Sequence, residues 1–318
     1  MSEMLINDVI SGKVLPADDI LGLVEKDSYL DLFQLALKVK KHFSGDSVDL
    51  CSIINARSGA CPEDCSYCAQ SSRSRADIPV YPLLESDDII EKAREIKDKQ
   101  VKRFCIVTSG KRVHGEDLGR IAKIIKRIRE IGILPCATLG LLDRDDLKLL
   151  RDHGLERYHH NLETSERFFP NVCSTHTYAD KIRTVEAVKE VGLSLCCGGL
   201  FGMGETWQDR IDMAFAIRDL GVDSVPVNFL TPISGTPLQD MAPIEPIEAL
   251  KIISLYRLVL PDRQVRVCGG RLQTLGELNP LVFLAGADGL LVGNYLTTPG
   301  RDIGHDIEII NALGFRPY

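Results

Sequence analysis

The chain has 318 residues, 44% of them hydrophobic and 26% charged, the mix of a globular protein with a large core, which excludes a disordered or fibrous chain. A net charge of −7 argues against nucleic acid as the main partner, because phosphate backbones attract basic surfaces. No apolar run approaches the roughly 18 residues of a membrane span. The start, Met1 to Asp8, has neither a basic nor an apolar signal region, so a reducing, cytoplasmic setting is expected for the ten cysteines.

The elements follow in chain order. Residues 1–45 read as a helical extension, with one pattern opening at Ala17 to Ile20 and another carried by Leu30, Leu32, Phe33, Leu35, Ala36 and Leu37. From residue 46 on, eight β-rich runs recur: 50–55, 103–108, 133–138, 157–162, 193–197, 224–229, 264–267 and 289–293. Amphipathic helical patterns lie between most of them, at 89–97, 121–131, 179–191, 207–220 and 247–259, and Gly132, Gly192 and Gly221 stand where a left-handed C-cap residue is wanted. Strands alternating with helices imply a parallel sheet, and eight units predict an α/β protein, a (β/α)8 TIM-type barrel over 46–318, with an open doubly wound sheet as the alternative. In either fold the chemistry belongs at the carboxyl ends of the strands.

Directly after the first β-run comes Gly59-Ala60-Cys61-Pro62-Glu63-Asp64-Cys65-Ser66-Tyr67-Cys68-Ala69-Gln70. Three thiolates spaced C-x3-C-x2-C on a loop can supply three of the four iron ligands of a [4Fe-4S] cluster and leave one iron open to a substrate. A zinc knuckle is the alternative, although structural zinc wants four ligands. Three further cysteines, Cys105, Cys136 and Cys196, lie within predicted strands. A lone strand cysteine is usually a small core hydrophobe, but these three would converge across a barrel lumen if they point inward. In the fourth run, alternation puts His159, Asn161 and Glu163 on one face, while His159 and His160, being adjacent, cannot chelate one ion together.

The C-x3-C-x2-C loop resembles the signature of radical S-adenosylmethionine (SAM) enzymes. The longer strings Gly59 to Ser72, Tyr158 to Ser165, Cys197 to Thr206, Val225 to Asn228, Gly235 to Leu238 and Leu296 to Pro299 resemble the biotin synthase family, in family order over nearly the whole chain. That resemblance implies a cytoplasmic, iron–sulfur, metal-binding transferase of biotin biosynthesis that inserts sulfur into dethiobiotin. Its cofactors would be SAM, a [4Fe-4S] cluster on Cys61, Cys65 and Cys68 that cleaves SAM reductively, and an auxiliary cluster that donates sulfur. By position, Cys105, Cys136, Cys196 and Arg266 match the ligands of an auxiliary [2Fe-2S] cluster. Tyr67 and Glu163 match SAM contacts, with Glu163 standing where the family usually has Asp. Asn161 matches a residue between SAM and dethiobiotin, and Asn228 a second substrate contact. A family arginine at SAM aligns with Lys181, with Arg183 nearby. A flavodoxin or ferredoxin electron donor and a homodimer are implied, with no nucleic acid and no membrane partner. A related barrel enzyme, of the hydrogenase-cluster maturase or methylornithine-forming mutase type, is the alternative. Two cysteines depart from the family's usual small hydroxyl residues, Cys197 and Cys268. In a strand, Arg266 and Cys268 project to one face about 6.6 Å apart, so Cys268 is an additional candidate auxiliary ligand and opens the option of a four-iron auxiliary cluster. Cys197 alternates to the other face.

Overall fold

The computed structural model describes residues 2–26 and 28–318, so that Met1 and Asp27 lie outside it. All eight predicted β-runs form strands: β1 (Ser47–Arg57), β2 (Arg103–Thr108), β3 (Leu134–Thr138), β4 (Arg157–His159), β5 (Ser194–Cys196), β7 (Ser224–Phe229), β8 (Gln264–Val267) and β9 (Gly289–Leu291), while β6 (Gly199–Phe201) is a short strand beyond the predicted runs. Neighbours pair in parallel in the order β1-β2-β3-β4-β5-β7-β8-β9, and β9 returns to β1 through Asp49 opposite Gly289. The sheet is therefore a closed barrel. A short tenth strand, β10 (Arg316–Pro317), adds to the outer start of β1.

Two of the strand ends have local reasons. β5 is separated from β6 at Cys197-Gly198, where a Cβ on Gly198 would stand 2.1 Å from the Pro226 carbonyl oxygen. The backbone presses so closely on β7 here that only glycine fits. The fourth run stops at His159 rather than Leu162. Beyond it, Leu162 and Glu163 both donate backbone N–H bonds to the Gly198 carbonyl, and Glu163 takes φ +73°. Asn161 and Glu163 thus reach the lumen from a turn, not from a pleated strand.

Helices cover the barrel. The predicted patterns become α4 (Ser86–Lys97), α5 (Gly115–Ile131), α7 (Tyr178–Glu190), α8 (Trp207–Asp219) and α9 (Pro246–Val259); α6 (Arg144–Asp152), α10 (Arg271–Leu275) and α11 (Ile303–Ala312) complete the set. Capping boxes open α7 through Thr177 and Asp180, and α8 through Thr206 and Asp209. Gly132 ends α5 at φ +92°. At the N-terminus lie α1 (Ser2–Ile10), α2 (Ala17–Glu25) and α3 (Tyr29–Ser44). Leu32, Leu35, Ala36 and Val39 follow helical spacing on one buried face of α3, which packs against α9. Each fully buried aliphatic side chain there contributes about 1.5–3 kcal/mol. Among the described residues, no helix is long and apolar enough to cross a membrane.

Candidate metal centre and substrate cavity

The carboxyl end of β1 runs directly into the cysteine loop. Gly59 and Ala60 both take positive φ, and a Cβ on Gly59 would meet Val80 at 2.6 Å. The loop then closes on itself, with Cys61 N–H donating to the Gln70 carbonyl (3.1 Å) and Ser72 N–H to the Cys61 carbonyl (2.8 Å). Ser66 N–H reaches across to the Val172 carbonyl at 2.9 Å. Cys61, Cys65 and Cys68 are free and half-buried, and all three line one cavity of about 440 Å³ at the carboxyl end of the barrel. Contact with Cys173 and burial push the Cys65 thiol up, and burial pushes Cys68 up to about 11. Three neighbouring thiols suit a metal group, which deprotonates its thiol ligands outright. The set fits a three-thiolate [4Fe-4S] cluster.

The same cavity descends to a second thiol group. Cys105 on β2 pairs in register with Cys136 on β3, and Cys196 ends β5. All three face the lumen, as does Cys268 just beyond β8. Cys51 on β1 joins them. Sequence reasoning missed Cys51 as a lumen residue, though strand alternation carried the signal: Cys51 and Ile53 in β1 share the lumen face. Cys197 instead lies in the outer hydrophobic core, on the opposite face from Cys196. Burial raises the thiols of Cys51, Cys105 and Cys136, and that of Cys268 to about 12, and the sulfurs raise one another further. Arg103, Arg157 and Arg266 oppose this at Cys136. Five thiols ringed by three guanidinium groups suit an anionic, thiolate-bound iron–sulfur group.

Arg266 is 3% exposed, and its terminal nitrogens are engaged. Nη2 donates to Gln264 Oε1 (2.7 Å) and lies 3.1 Å from Asp49 Oδ1, while Nη1 donates to the Asp49 carbonyl (3.1 Å). Burial alone would raise the Asp49 carboxyl, but Arg266 and Arg103 hold it down at about 2.

Between the two thiol groups runs a line of polar side chains. Thr138 Oγ1 stands 3.6 Å from Cys105 Sγ and 3.0 Å from His159 Nδ1. Burial lowers the His159 pKa, so the ring is neutral. Asn161 Oδ1 accepts from His159 Nε2 (2.7 Å) and from Gly198 N–H (3.1 Å), which places the ring proton on Nε2 and leaves Nδ1 to accept from Thr138. Asn161 Nδ2 then donates to Glu163 Oε2 at 3.4 Å. Lys181 Nζ donates to the Asn161 carbonyl (3.1 Å) and lies 3.7 Å from Glu163. Tyr67 lies against the Glu163 carboxylate, and burial raises its hydroxyl pKa. Arg183 instead pairs with Asp180 on the exposed side of α7. His160 is buried, lines the cavity as well, and has its ring stacked beside that of Tyr158. Asn228 lines the cavity, but its amide is already used: Nδ2 donates to the Gly199 carbonyl and Oδ1 accepts from Gly269 N–H, both at 3.0 Å.

The comparisons with known proteins agree with this geometry. Residues 56–217 match the model of the Radical SAM superfamily, and residues 226–316 that of the Biotin and Thiamin Synthesis associated domain. A solved methylornithine synthase superposes with a TM-score of 0.87 at 23% identity, covering 99% of this chain and 97% of that one. An FeFe-hydrogenase maturase from Carboxydothermus hydrogenoformans gives a TM-score of 0.83 at 18% identity, over 99% and 79% of the two chains. At those identities the likeness concerns the fold. Barrel and cysteine loop together define a radical SAM enzyme. Biotin synthase of Thermodesulfovibrio yellowstonii is 51% identical over 93% of each chain, and that of Geobacter sulfurreducens 48% identical over 98% of this chain and 96% of its own. The chain belongs to the biotin synthase family.

Proposed function

We propose that this chain inserts sulfur into dethiobiotin to make biotin, using SAM, a [4Fe-4S] cluster and an auxiliary iron–sulfur cluster. One observation carries the reading: two separate thiol groups open into a single cavity, with Asn161 between them. When bound, the first cluster supplies the electron that cleaves SAM, and the auxiliary cluster supplies the sulfur.

Cys61, Cys65 and Cys68 hold the first cluster. Tyr67 and Glu163 face SAM, with the Glu163 carboxylate suited to a ribose diol and Lys181 keeping its charge balanced. Asn161, fixed on both amide atoms, presents a neutral polar edge to the ureido ring of the substrate. Asn228 serves the substrate chiefly by holding the backbone at Gly199 and Gly269 in place. Cys105, Cys136 and Cys196 hold the auxiliary cluster. For the remaining ligand, Cys268 is favoured over Arg266, because a guanidinium has no lone pair to give and this one is bound to Asp49 and Gln264. A thiolate in that place completes a four-thiolate set that can hold a four-iron auxiliary cluster in place of a [2Fe-2S] one. We further propose that residues 1–45 form an extension to a 46–318 barrel unit, that a flavodoxin or ferredoxin delivers the electron, and that the enzyme is a cytoplasmic homodimer.

The test is anaerobic turnover of the reconstituted chain with dethiobiotin, SAM and a low-potential reductant. Biotin is the expected product. SAM cleavage without biotin would transfer the chain to another radical SAM reaction.

A further inference from the structure

Beside the cysteine loop, at the rim of the cavity that Cys65 and His176 also line, stands a third group of metal-ligating atoms. Cys65 Sγ, Cys173 Sγ and one ring nitrogen of His176 all lie within 4.8 Å of one another. Cys173 and His176 come from the segment that leads into α7 and are buried, at 6% and 8% exposure. The Cys173 sulfur is 3.2 Å from His176 Nδ1, so that nitrogen is the one turned toward the thiols. Donor atoms around a tetrahedral ion with bonds of 2.0–2.3 Å stand roughly 3.3–3.8 Å apart. The trio is therefore within about an ångström of closing on one ion.

The surroundings favour a cation. Glu63 Oε2 abuts His176 Nδ1 and accepts from Thr175 Oγ1 (2.7 Å), which puts an oxygen donor beside the trio, and Lys111 Nζ lies 3.7 Å from the other Glu63 oxygen. Asp64 accepts from Ser174 N–H (2.9 Å), Thr175 N–H (3.2 Å) and the Cys173 thiol (3.1 Å), and so pins the 173–175 backbone to the cysteine loop. Two thiolates and an imidazole are the donor set of zinc-class divalent ions.

We propose that the chain, before its SAM cluster is built, binds one zinc-class divalent cation through Cys65, Cys173 and His176. Both thiols lose their protons as the two metal–sulfur bonds form, and the dication balances the two thiolates. Cys65 belongs to both sites and cannot be a terminal ligand in both, so this ion and the cluster exclude one another. The bound ion holds the loop against the α7 segment until iron and sulfide displace it. The proposal does not depend on the reaction the finished enzyme performs.

Cobalt(II), whose thiolate charge-transfer and tetrahedral d–d bands report its ligands, is the probe. The full chain carrying Cys61→Ala and Cys68→Ala keeps the trio but has lost two of three cluster ligands. Titrated anaerobically after iron removal, it should take up one more cobalt per chain than the same chain with Cys173→Ala added, with charge-transfer intensity to match. Adding His176→Ala instead should shift the d–d bands and weaken this cobalt by more than the roughly 10–100-fold that loss of an outer partner costs. Lumen thiols contribute equally to all these chains and cancel in the comparison. Equal cobalt uptake and identical spectra with and without Cys173 would overturn the site. Should Cys173→Ala unfold the chain by circular dichroism, Cys173→Ser makes the same comparison, because its hydroxyl keeps the size but not the soft donor.

Discussion

The cavity holds its two thiol groups in opposite ways. Cys61, Cys65 and Cys68 are half-buried on a loop whose shape comes from backbone hydrogen bonds and two left-handed residues. Cys51, Cys105, Cys136, Cys196 and Cys268 are buried on or beside five separate strands, among arginines. The first group is local, its three sulfurs held by one loop whose own main chain sets its shape. The second exists only because the barrel closes, and its charges must balance inside a low-dielectric lumen. Damage to the first should therefore remove chemistry and spare the fold, whereas damage to the charges beneath the second should reach the fold itself.

The largest effect is expected at the loop. Cys→Ala at Cys61, Cys65 or Cys68 should abolish 5′-deoxyadenosine formation and remove about four irons per chain while the lumen cluster persists. Iron analysis with Mössbauer spectra checks this, and full SAM cleavage in any of the three would break the assignment. Next in size is Asn161→Ser, which should lose most biotin yield with both clusters spectroscopically intact. Loss of the clusters would make Asn161 a scaffold residue.

Beneath the lumen, Asp49→Asn leaves Arg266 and Arg103 buried without their carboxylate, and should destabilise the cluster-free protein by about 3–5 kcal/mol in denaturant unfolding. The wild-type pair also predicts a pH dependence. The folded Asp49 pKa of about 2 lies below its ordinary 3.8, so its contribution is complete above that ordinary value and is lost as pH falls from about 4 through 2. The shift amounts to about 2 kcal/mol, and an Asp49→Asn protein should lack that part of the acid transition. The smallest and sharpest test compares Cys268→Ser with Cys51→Ser. If Cys268 is a ligand, its variant alone should lower the auxiliary iron from about four to about two per chain. About two auxiliary irons per chain in the unsubstituted protein and in both variants would make the site a two-iron one and these cysteines bystanders.

Much of this was legible in the sequence because it was periodic or local. Eight β-runs, the helices between them and the C-x3-C-x2-C loop are patterns within a dozen residues. The turn at Asn161 to Glu163 was read as strand, because the Gly198 carbonyl that accepts from both Leu162 and Glu163 N–H belongs to a distant part of the chain. Cys51 went unplaced although it alternates with Ile53 on the lumen face of β1, since a single cysteine before a conspicuous motif looks like core. Cys173 and His176 carry only a C-x2-H spacing, and their meeting with Cys65 depends on how one loop crosses another. Lys181 and Arg183, two residues apart on α7, were separable only once the helix had a face: Lys181 enters the cavity, while Arg183 stays outside with Asp180.

The cysteine loop is tied to the rest of the molecule by main-chain groups at both ends of its span, from Ser58 to Tyr81, from Ser66 to Val172 and from Arg75 to Gly235. Peptide groups are the same whatever side chains they carry, so the course of the loop is indifferent to most substitutions along it. The conformational entropy of ordering these residues is also lost once, when the barrel folds, and not again when metal arrives. Iron and sulfide therefore meet a receptacle already in shape. Assembly there should proceed as encounter and ligand exchange, with little change in backbone amide protection, in contrast to small metal-dependent domains, whose chain acquires its fold only with the ion.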